Sequence, residues 1–124
     1  MTDKTTKLTM SCENQFLLDS VDLAEGQFRE AQMQHNNRAV WLIVTRQSGN
    51  IRAWFNVCPH QGRSLNYAPD KFLIDPNGQL ICAAHGAVFE PENGLCINGP
   101  CLGASLKAIE TTEQNGKIFG NVSA

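Results

Sequence analysis

Two short segments of this chain have the same unusual composition. CPHQG at 58–62 (the first Cys/His segment) and CAAHG at 82–86 (the second Cys/His segment) each hold a cysteine, a histidine and a closing glycine. The chain has only three histidines, so two of them stand beside cysteines. Thiolate and imidazole are both common metal ligands. The fold is therefore expected to bring the two segments close together.

The overall composition limits the classes of protein that this chain can belong to. Its 124 residues are typical of one domain, and its formal charge of −2 argues against a nucleic-acid partner, which would favour a clustered basic face. The polar start of the chain predicts no secretory signal, and no stretch approaches the roughly 18 apolar residues of a membrane span. We therefore expect a cytoplasmic protein with reduced thiols. Five cysteines are an odd number for a disulfide framework, which makes metal binding the first alternative.

The hydrophobic pattern predicts strands along the whole chain. Residues 38–46 and 51–57 are rich in β-branched and aromatic side chains, and the turn residues QSGN lie between them, so they predict a hairpin. Residues 16–34 have no clear period, and because Gly26 would interrupt a helix we predict short strands there. Many short strands with close turns are typical of an all-β antiparallel sandwich or barrel.

Four Asn-Gly dipeptides mark further turns, since both residues tolerate the positive φ of a type I′ turn. They are Asn77-Gly78, Asn93-Gly94, Asn98-Gly99 and Asn115-Gly116. Three of them have predicted strands on both sides, in FLIDPNGQLICA, AVFEPENGLCI and LKAIETTEQNGKIFGNV. Each Cys/His segment then forms a loop at a hairpin tip, with 21 residues between His60 and Cys82. Two such loops could face each other and enclose a small ligand.

Cys58, His60, Cys82 and His85 offer two sulfur and two nitrogen donors, which suit zinc or an iron–sulfur centre. A zinc site of two cysteines and two histidines usually takes each like pair from one element. Here each pair is mixed, as C-x-H and C-x2-H. A two-metal centre gives the mixed pairs a reason, because one metal can take both sulfurs and the other both nitrogens. Zinc bound by the same four ligands, as a structural module, remains the alternative.

The two segments resemble the Rieske family, whose pattern is C-x-H, a spacer and C-x2-H. GAVFEPENGLCINGPCLGASL also resembles the stretch that follows the second box in that family, and the resemblance covers roughly residues 38–119. It implies an antiparallel Rieske-like sandwich, with a single Rieske domain over 1–124 and a cluster-binding subdomain of two hairpin loops near 57–101. It also implies one Rieske-type 2Fe–2S cluster per chain. The four residues it implies as ligands are Cys58 and Cys82 on the inner iron, and His60 and His85 on the more exposed iron.

The resemblance also implies roles around the cluster. Gly62 and Gly86 would let the backbone approach the bridging sulfides. Pro100 would lie on a third loop that covers the cluster, and Leu65 would help to exclude water. Cys96 and Cys101 flank that loop, and they are either two buried thiols, which a reducing compartment favours, or a disulfide.

The residues after the second box bear on the reduction potential. High-potential Rieske proteins have a serine and a tyrosine there whose hydroxyl groups bond to sulfur. The matching positions here are Ala87 and Phe89, which have no hydroxyl group. The resemblance is therefore to the low-potential branch, and we expect a midpoint of roughly −150 mV on the scale of Rieske centres.

The implied function is electron transfer rather than catalysis. A Rieske oxygenase needs a second iron held by two histidines and a carboxylate, and the four proposed ligands leave only His35. No dinucleotide-binding fingerprint is present. We expect a one-electron carrier that passes electrons from a flavin-dependent reductase to an oxygenase or similar acceptor through transient contacts. The alternative is a small subunit or redox-sensing module of a larger oxidoreductase.

Overall fold

The computed structural model describes residues 14–121, which form an antiparallel β structure with one 3₁₀ turn at Ser20–Asp22. No helix in this part of the chain is long and apolar enough to cross a membrane. The strands are β1 (Gln15–Asp19), β2 (Phe28–His35), β3 (Arg38–Gln47), β4 (Asn50–Phe55), β5 (Leu73–Ile74), β6 (Leu80–Ile81), β7 (Val88–Phe89), β8 (Cys96–Asn98), β9 (Ala108–Gln114) and β10 (Lys117–Asn121). The predicted all-β antiparallel fold is confirmed.

Six strands form a sheet that curls into a near-barrel, in the order β1-β10-β9-β4-β3-β2. The first and last strands of this order, β1 and β2, approach each other. The side chain of Gln15 joins them: its Nε2 donates to the Gln34 carbonyl at 2.8 Å, and its Oε1 accepts from the Gln34 amide at 2.8 Å. One amide side chain thus takes the place of a strand ladder where the barrel closes.

Alternation along β3 divides the buried side chains between two cores. Leu42 and Val44 point into the barrel, where they pack with Leu17, Met33 and other apolar side chains. Ile43, between them, points outward into a second core. Strand β3 is therefore buried on both faces, which explains its continuous apolar run.

The second core holds a smaller sheet against the outside of the barrel. This sheet has the order β5-β6-β7-β8. Its buried Leu80 and Phe89 pack in the same cluster as Ile43 and Trp54 of the barrel. A Cβ atom at Gly94 would lie only 2.6 Å from Nε1 of Trp54, so the turn before β8 lies directly on the indole ring. This contact fixes the smaller sheet, and the loops that it carries, on the barrel.

The four strand-turn-strand hairpins predicted from the sequence are confirmed. The prediction that each Cys/His segment lies at a hairpin tip holds only for the second segment, because β4 and β5 on either side of the first segment belong to different sheets. The predicted turn type is wrong at three of the four Asn-Gly sites. Only Asn115-Gly116 has positive φ at both residues, 53° and 75°. At the other three sites only the glycine has positive φ. The turn at residues 75–79 shows the reason: the Asp75 carboxylate accepts the amides of Asn77 and Gln79, so an aspartate side chain shapes a longer turn.

Residues 16–34 form strands as predicted, but β2 is one continuous eight-residue strand rather than a short one. Strand β4 ends at Phe55, two residues before the predicted end at Val57. The chain leaves the sheet at Asn56, whose buried side chain turns towards the first Cys/His segment.

The ion pair between Arg46 and Glu113 connects distant parts of the barrel. It is bidentate, with distances of 3.0 and 2.8 Å, and Nε of Arg46 also donates to the Leu23 carbonyl at 2.9 Å. The hydrogen bond from Arg46 lowers the pKa of Glu113 to about 2. Because this pKa lies below the ordinary 4.5, the carboxylate stabilises the fold above about pH 4.5 and loses that effect as the pH falls towards 2.

We expect Glu113→Gln to lower the free energy of unfolding at neutral pH by on the order of 1 kcal/mol, because it removes a charge from a bidentate pair. The difference from the wild type should shrink as the pH falls below 4.5, which urea unfolding across this range measures. Glu92→Gln is the control, since the carboxylate of Glu92 is more than half exposed and lies 3.9 Å from Arg52. A pH-independent loss in Glu113→Gln would contradict the assignment.

Candidate metal centre

The two Cys/His segments fold into the same turn. In the first, the Gly62 amide donates to the Cys58 carbonyl at 2.8 Å, and the Cys58 amide donates to the carbonyl of the residue after the glycine at 2.7 Å. In the second, the Gly86 amide donates to the Cys82 carbonyl at 2.9 Å, and the Cys82 amide donates to the next carbonyl at 2.8 Å. Equivalent turns place the two cysteines equivalently, whereas the histidine stands at the third position of the first turn and at the fourth position of the second.

The closing glycine of each turn has a backbone requirement. Gly62 has φ of 71° and Gly86 has φ of 77°, a conformation that L side chains rarely adopt. No protein atom lies within 4 Å of a Cβ built at either position. Among the described residues, the positive φ rather than a lack of space is therefore what favours glycine at these two positions. The approach of the backbone to bridging sulfides remains a prediction.

The structure brings the four sequence-predicted residues to one place and sorts them by depth. The cysteines are buried, with exposures of 3% for Cys58 and 2% for Cys82. His60 is half-buried and His85 is exposed, and their ring centroids lie 5.0 Å apart with the planes at 83°. The thiols of Cys58 and Cys82 also interact with each other. Sulfur donors thus lie inside and nitrogen donors lie towards the surface.

The burial of the thiols fits a positively charged ligand. Burial raises the pKa of Cys58, because the charged thiolate is poorly stabilised away from water. A buried thiolate needs a positive partner, and a metal centre supplies one and deprotonates a coordinating thiol outright. The buried position of Cys58 therefore favours its thiolate form only beside a positive centre.

One nitrogen of His60 supports the same interpretation. Nδ1 is buried and has no hydrogen-bond partner among residues 14–121. A buried polar atom without a partner is costly and usually marks a missing ligand, ion or water. Imidazole nitrogen is a good ligand for iron or zinc. The residues present thus fit a metal centre at this position.

The donors come as two mixed pairs, one cysteine and one histidine from each turn. Within residues 14–121, no group of three or more His, Cys, Asp or Glu side chains is placed to hold a single metal ion. A tetrahedral zinc site needs four ligands around one point. A two-iron cluster needs only two protein ligands on each metal, because bridging sulfides provide the rest.

A buried asparagine holds the two turns in register. Oδ1 of Asn56 accepts the Leu65 amide at 2.8 Å, and the Leu65 carbonyl accepts the amide of Ala83, in the second Cys/His segment, at 3.1 Å. Leu65 itself is fully buried in the cluster that contains both cysteines, so its predicted position beside the site is confirmed. The backbone of this one residue thus connects the chain that leaves β4 to the second Cys/His segment.

The same asparagine is anchored to the barrel. Its Nδ2 donates to Oδ1 of Asn66 at 2.9 Å and to the Glu30 carboxylate at 3.3 Å. Glu30 in turn exchanges two hydrogen bonds with Asp70, of 2.7 and 2.6 Å. Sequence reasoning missed this network, because its members are far apart in the chain and no spacing rule connects them.

A third loop, residues 98–103 (the covering loop), packs against the second Cys/His segment. A Cβ at Gly99, where φ is 100°, would lie 2.8 Å from Cα of Ala87. Ala87 and Phe89 are fully buried and bring no hydroxyl group to the site. Pro100 lies on this loop, as the resemblance implies, and is exposed.

The remaining cysteines and the third histidine have separate environments. Cys96 and Cys101 are buried free thiols with their sulfur atoms 3.2 Å apart, so the disulfide alternative is not what the structure shows. Sequence reasoning missed that both lie in the same buried cluster as Cys58 and Cys82. His35 ends β2 and packs on Phe55, with ring centroids 5.7 Å apart. Cys12 lies outside the described residues.

Fold and site together define a class of protein: an all-β domain in which two matched Cys/His turns present two sulfur and two nitrogen donors to one centre. The chain belongs to the Rieske [2Fe-2S] domain family, whose model matches residues 13–113. Membership implies a Rieske-type 2Fe–2S cluster, as expected from the sequence.

Three known proteins show the range of the similarity. The chain is 37% identical over 93 residues to the large oxygenase component of the naphthalene 1,2-dioxygenase system of Pseudomonas fluorescens, a match that covers 64% of this chain and 19% of that protein. A chain from the reduced complex between oxygenase and ferredoxin in carbazole 1,9a-dioxygenase aligns with a TM-score of 0.71 and 18% identity, covering 98% of this chain and 35% of that one. The ferredoxin of carbazole 1,9a-dioxygenase from Nocardioides aromaticivorans IC177 aligns with a TM-score of 0.65 and 14% identity, covering 89% and 98%. The two structural matches concern the fold.

We expect Gly99→Ala to push the covering loop off Ala87 and to reduce the iron content of the purified protein, because the new Cβ meets backbone that cannot move aside cheaply. Gly103→Ala is the matched control: φ there is 92°, but nothing lies within 4 Å of a new Cβ. Both variants bear the backbone strain, on the order of 1 kcal/mol. Urea unfolding and iron analysis should show the larger loss in Gly99→Ala. Equal losses would contradict a role for the close contact.

Proposed function

We propose that this protein is a one-electron carrier in which Cys58, His60, Cys82 and His85 hold a Rieske 2Fe–2S cluster. The observation that carries the proposal is the sorting by depth, with two buried thiols behind two histidines that lie towards the surface. Cys58 and Cys82 would bind the inner iron, and His60 and His85 the outer one. A bound Rieske cluster supplies reversible transfer of one electron. We also propose that residues 57–101 form a cluster-binding subdomain within a single domain over 1–124.

The chain's own residues support a carrier in three ways. The buried thiols and Leu65 keep water from the inner side of the site. Backbone hydrogen bonds close the two equivalent turns that carry the donors. Donor side chains held in this way would move little when the site gains or loses an electron. The exposed ring of His85 offers a short route from the site to a partner.

The covering loop, which packs through Gly99 on Ala87, offers a candidate surface for a transient docking contact. On this loop Leu102 is 69% exposed and Pro100 is exposed, as is Ala84 next to His85 in the chain. A small, partly apolar contact is typical of weak redox encounters. We propose a flavin-dependent reductase as donor and an oxygenase or similar enzyme as acceptor. A cytoplasmic location remains a prediction.

The side chains around the site favour a low reduction potential. Hydrogen bonds to cluster sulfur are one of the factors that set the potential. The buried Ala87 and Phe89 provide no hydroxyl donor, and we propose a midpoint of roughly −150 mV.

A second candidate is a Rieske module that works within a larger oxygenase or oxidoreductase. The chain is 37% identical to a large oxygenase component but 14% identical to the ferredoxin, which favours this candidate. The match covers 19% of the large component. A module of that kind receives its electron at the same site but delivers it within a stable assembly. Size-exclusion chromatography with candidate oxygenase partners distinguishes the two, because a module co-elutes and a carrier does not.

We expect protein purified without air to be red-brown and to give a rhombic EPR signal after reduction, because two nitrogen ligands make the two irons unlike. His60→Cys should shift or abolish the signal, since it replaces one of those ligands. His35→Cys is the matched control and should leave the signal unchanged, because His35 packs on Phe55 away from the site. A colourless protein with one zinc per chain would establish the zinc-binding alternative instead.

A carrier must leave its partner in either redox state, whereas a redox sensor binds tightly in only one. We therefore expect complexes with a flavin-dependent reductase to dissociate quickly in both the oxidised and the reduced form, as surface plasmon resonance under anaerobic conditions measures. Leu102→Glu should weaken binding because it places a charge on the apolar contact, while Val21→Glu, a charge at a distant exposed position, should not. A lifetime that differs by orders of magnitude between the two forms would favour the sensor.

A further inference from the structure

A groove of about 560 Å³ lies on the barrel beside the first Cys/His segment. Val57 and Ser64, which stand before and after that segment in the chain, both line it. No residue of the covering loop lines it, so the groove is separate from the docking surface on that loop. The proposed function therefore gives this groove no role.

The groove has an apolar wall that is open to solvent. Trp41 is 51% exposed and Val57 is 50% exposed. The half-buried side chains of Val40 and Phe55 line the groove with them. Neighbouring exposed apolar side chains in one groove are typical of a surface that a partner protein covers.

The groove also contains one carboxylate, that of Glu30, which has no cationic partner within residues 14–121. Its two hydrogen-bond donors are neutral: Oε1 accepts the Asp70 amide at 2.6 Å, and Oε2 accepts Nδ2 of Asn56 at 3.3 Å. The neighbouring Arg29 pairs with Asp70 at 2.7 Å. Two carboxylates and one guanidinium leave a net charge of −1, so the groove lacks one positive charge.

The register of the sheet places this carboxylate and the indole ring of Trp41 on the same face. Glu30 pairs with Ile43, and Gln32 pairs with Trp41, so Glu30 and Trp41 are diagonal neighbours. Since Ile43 points outward from the barrel, both do so as well. Diagonal neighbours lie roughly 7–8 Å apart, and a cation between them can contact the carboxylate and the indole ring together.

We propose that this groove binds a partner protein through a basic side chain, an arginine or a lysine, that lies between Trp41 and Glu30. The charged end compensates the carboxylate, and the aliphatic stem lies along the indole ring. Apolar residues of the partner beside the basic side chain cover Val57, which a small cation alone would leave exposed. The inference does not depend on the cluster, since none of the four proposed ligands lines the groove.

The test is ¹⁹F NMR of the intact protein labelled with 5-fluorotryptophan. The chain has two tryptophans, so the exposed Trp41 reports on the groove and the buried Trp54 is the internal reference. The probe is the peptide Ac-Leu-Arg-Leu-NH2, and the matched peptide has citrulline, a neutral isostere, in place of arginine. We expect the arginine peptide to shift the Trp41 signal saturably, to leave Trp54 unchanged, and to bind roughly fivefold more tightly than the citrulline peptide, the size of an exposed ion pair with a cation–π contact.

Glu30→Gln should abolish the preference for the arginine peptide, because glutamine keeps an acceptor for the Asp70 amide but has no charge. Glu92→Gln is the matched control, since it removes the same charge at an exposed position outside the groove and should keep the preference. Trp41→Leu should weaken binding of the arginine peptide, followed by the peptide's own NMR signals, so the test does not depend on one variant. Equal affinities of the two peptides for the wild type, or an unchanged preference in Glu30→Gln, overturn the inference.

Other occupants of the groove give different results, each of which also overturns the inference. A Trp41 signal that changes with protein concentration indicates a second copy of this chain. A signal that moves in Lys7→Gln without peptide indicates residues 1–13 of the chain itself. Propylguanidinium that binds as tightly as the arginine peptide indicates a small cation. A protein that prefers the arginine peptide but gives no Rieske EPR signal overturns the proposed function and supports this inference.

Discussion

The burial of two thiols beside each other is the constraint on which the rest of this structure depends. A thiolate away from water is costly unless a positive charge lies next to it. Cys58 and Cys82 are almost fully buried in one apolar cluster, and burial raises the pKa of the Cys58 thiol, so a metal centre beside it would favour its ionised form. The apolar cluster around them is thus both the core that holds the small sheet on the barrel and the inner wall of the site.

The fold meets this constraint with a rigid frame built from backbone hydrogen bonds. Two equivalent turns carry the donors. The backbone of Leu65 joins them, because its N–H donates to Asn56 and its carbonyl accepts from Ala83. The turn at Gly94 rests on Trp54 and fixes the small sheet on the barrel. These contacts fix the two turns relative to each other and to the barrel.

The depth order of the donors determines which of them faces solvent. Sulfur lies inside and one imidazole ring is exposed, so the surface route to the site passes through His85. Cys96 and Cys101, which look redundant in the sequence, lie in the same buried cluster as Cys58 and Cys82. The inner side of the site is therefore rich in thiols, whereas its outer side presents imidazole.

The sequence alone determined the strand-rich class, the hairpins and the four donor residues, because each follows from local patterns: β-branched runs, Gly-containing turns and two short Cys/His spacings. It did not determine the turn geometry at Asn77, Asn93 and Asn98, since side chains such as Asp75 reshape those loops. Only the tertiary structure placed Asn56 beside Glu30, Leu65 beside Ala83 and Gly99 against Ala87. Local patterns do not specify these contacts, because hydrophobic periodicity indicates which face of a strand is buried but not which side chain it meets there.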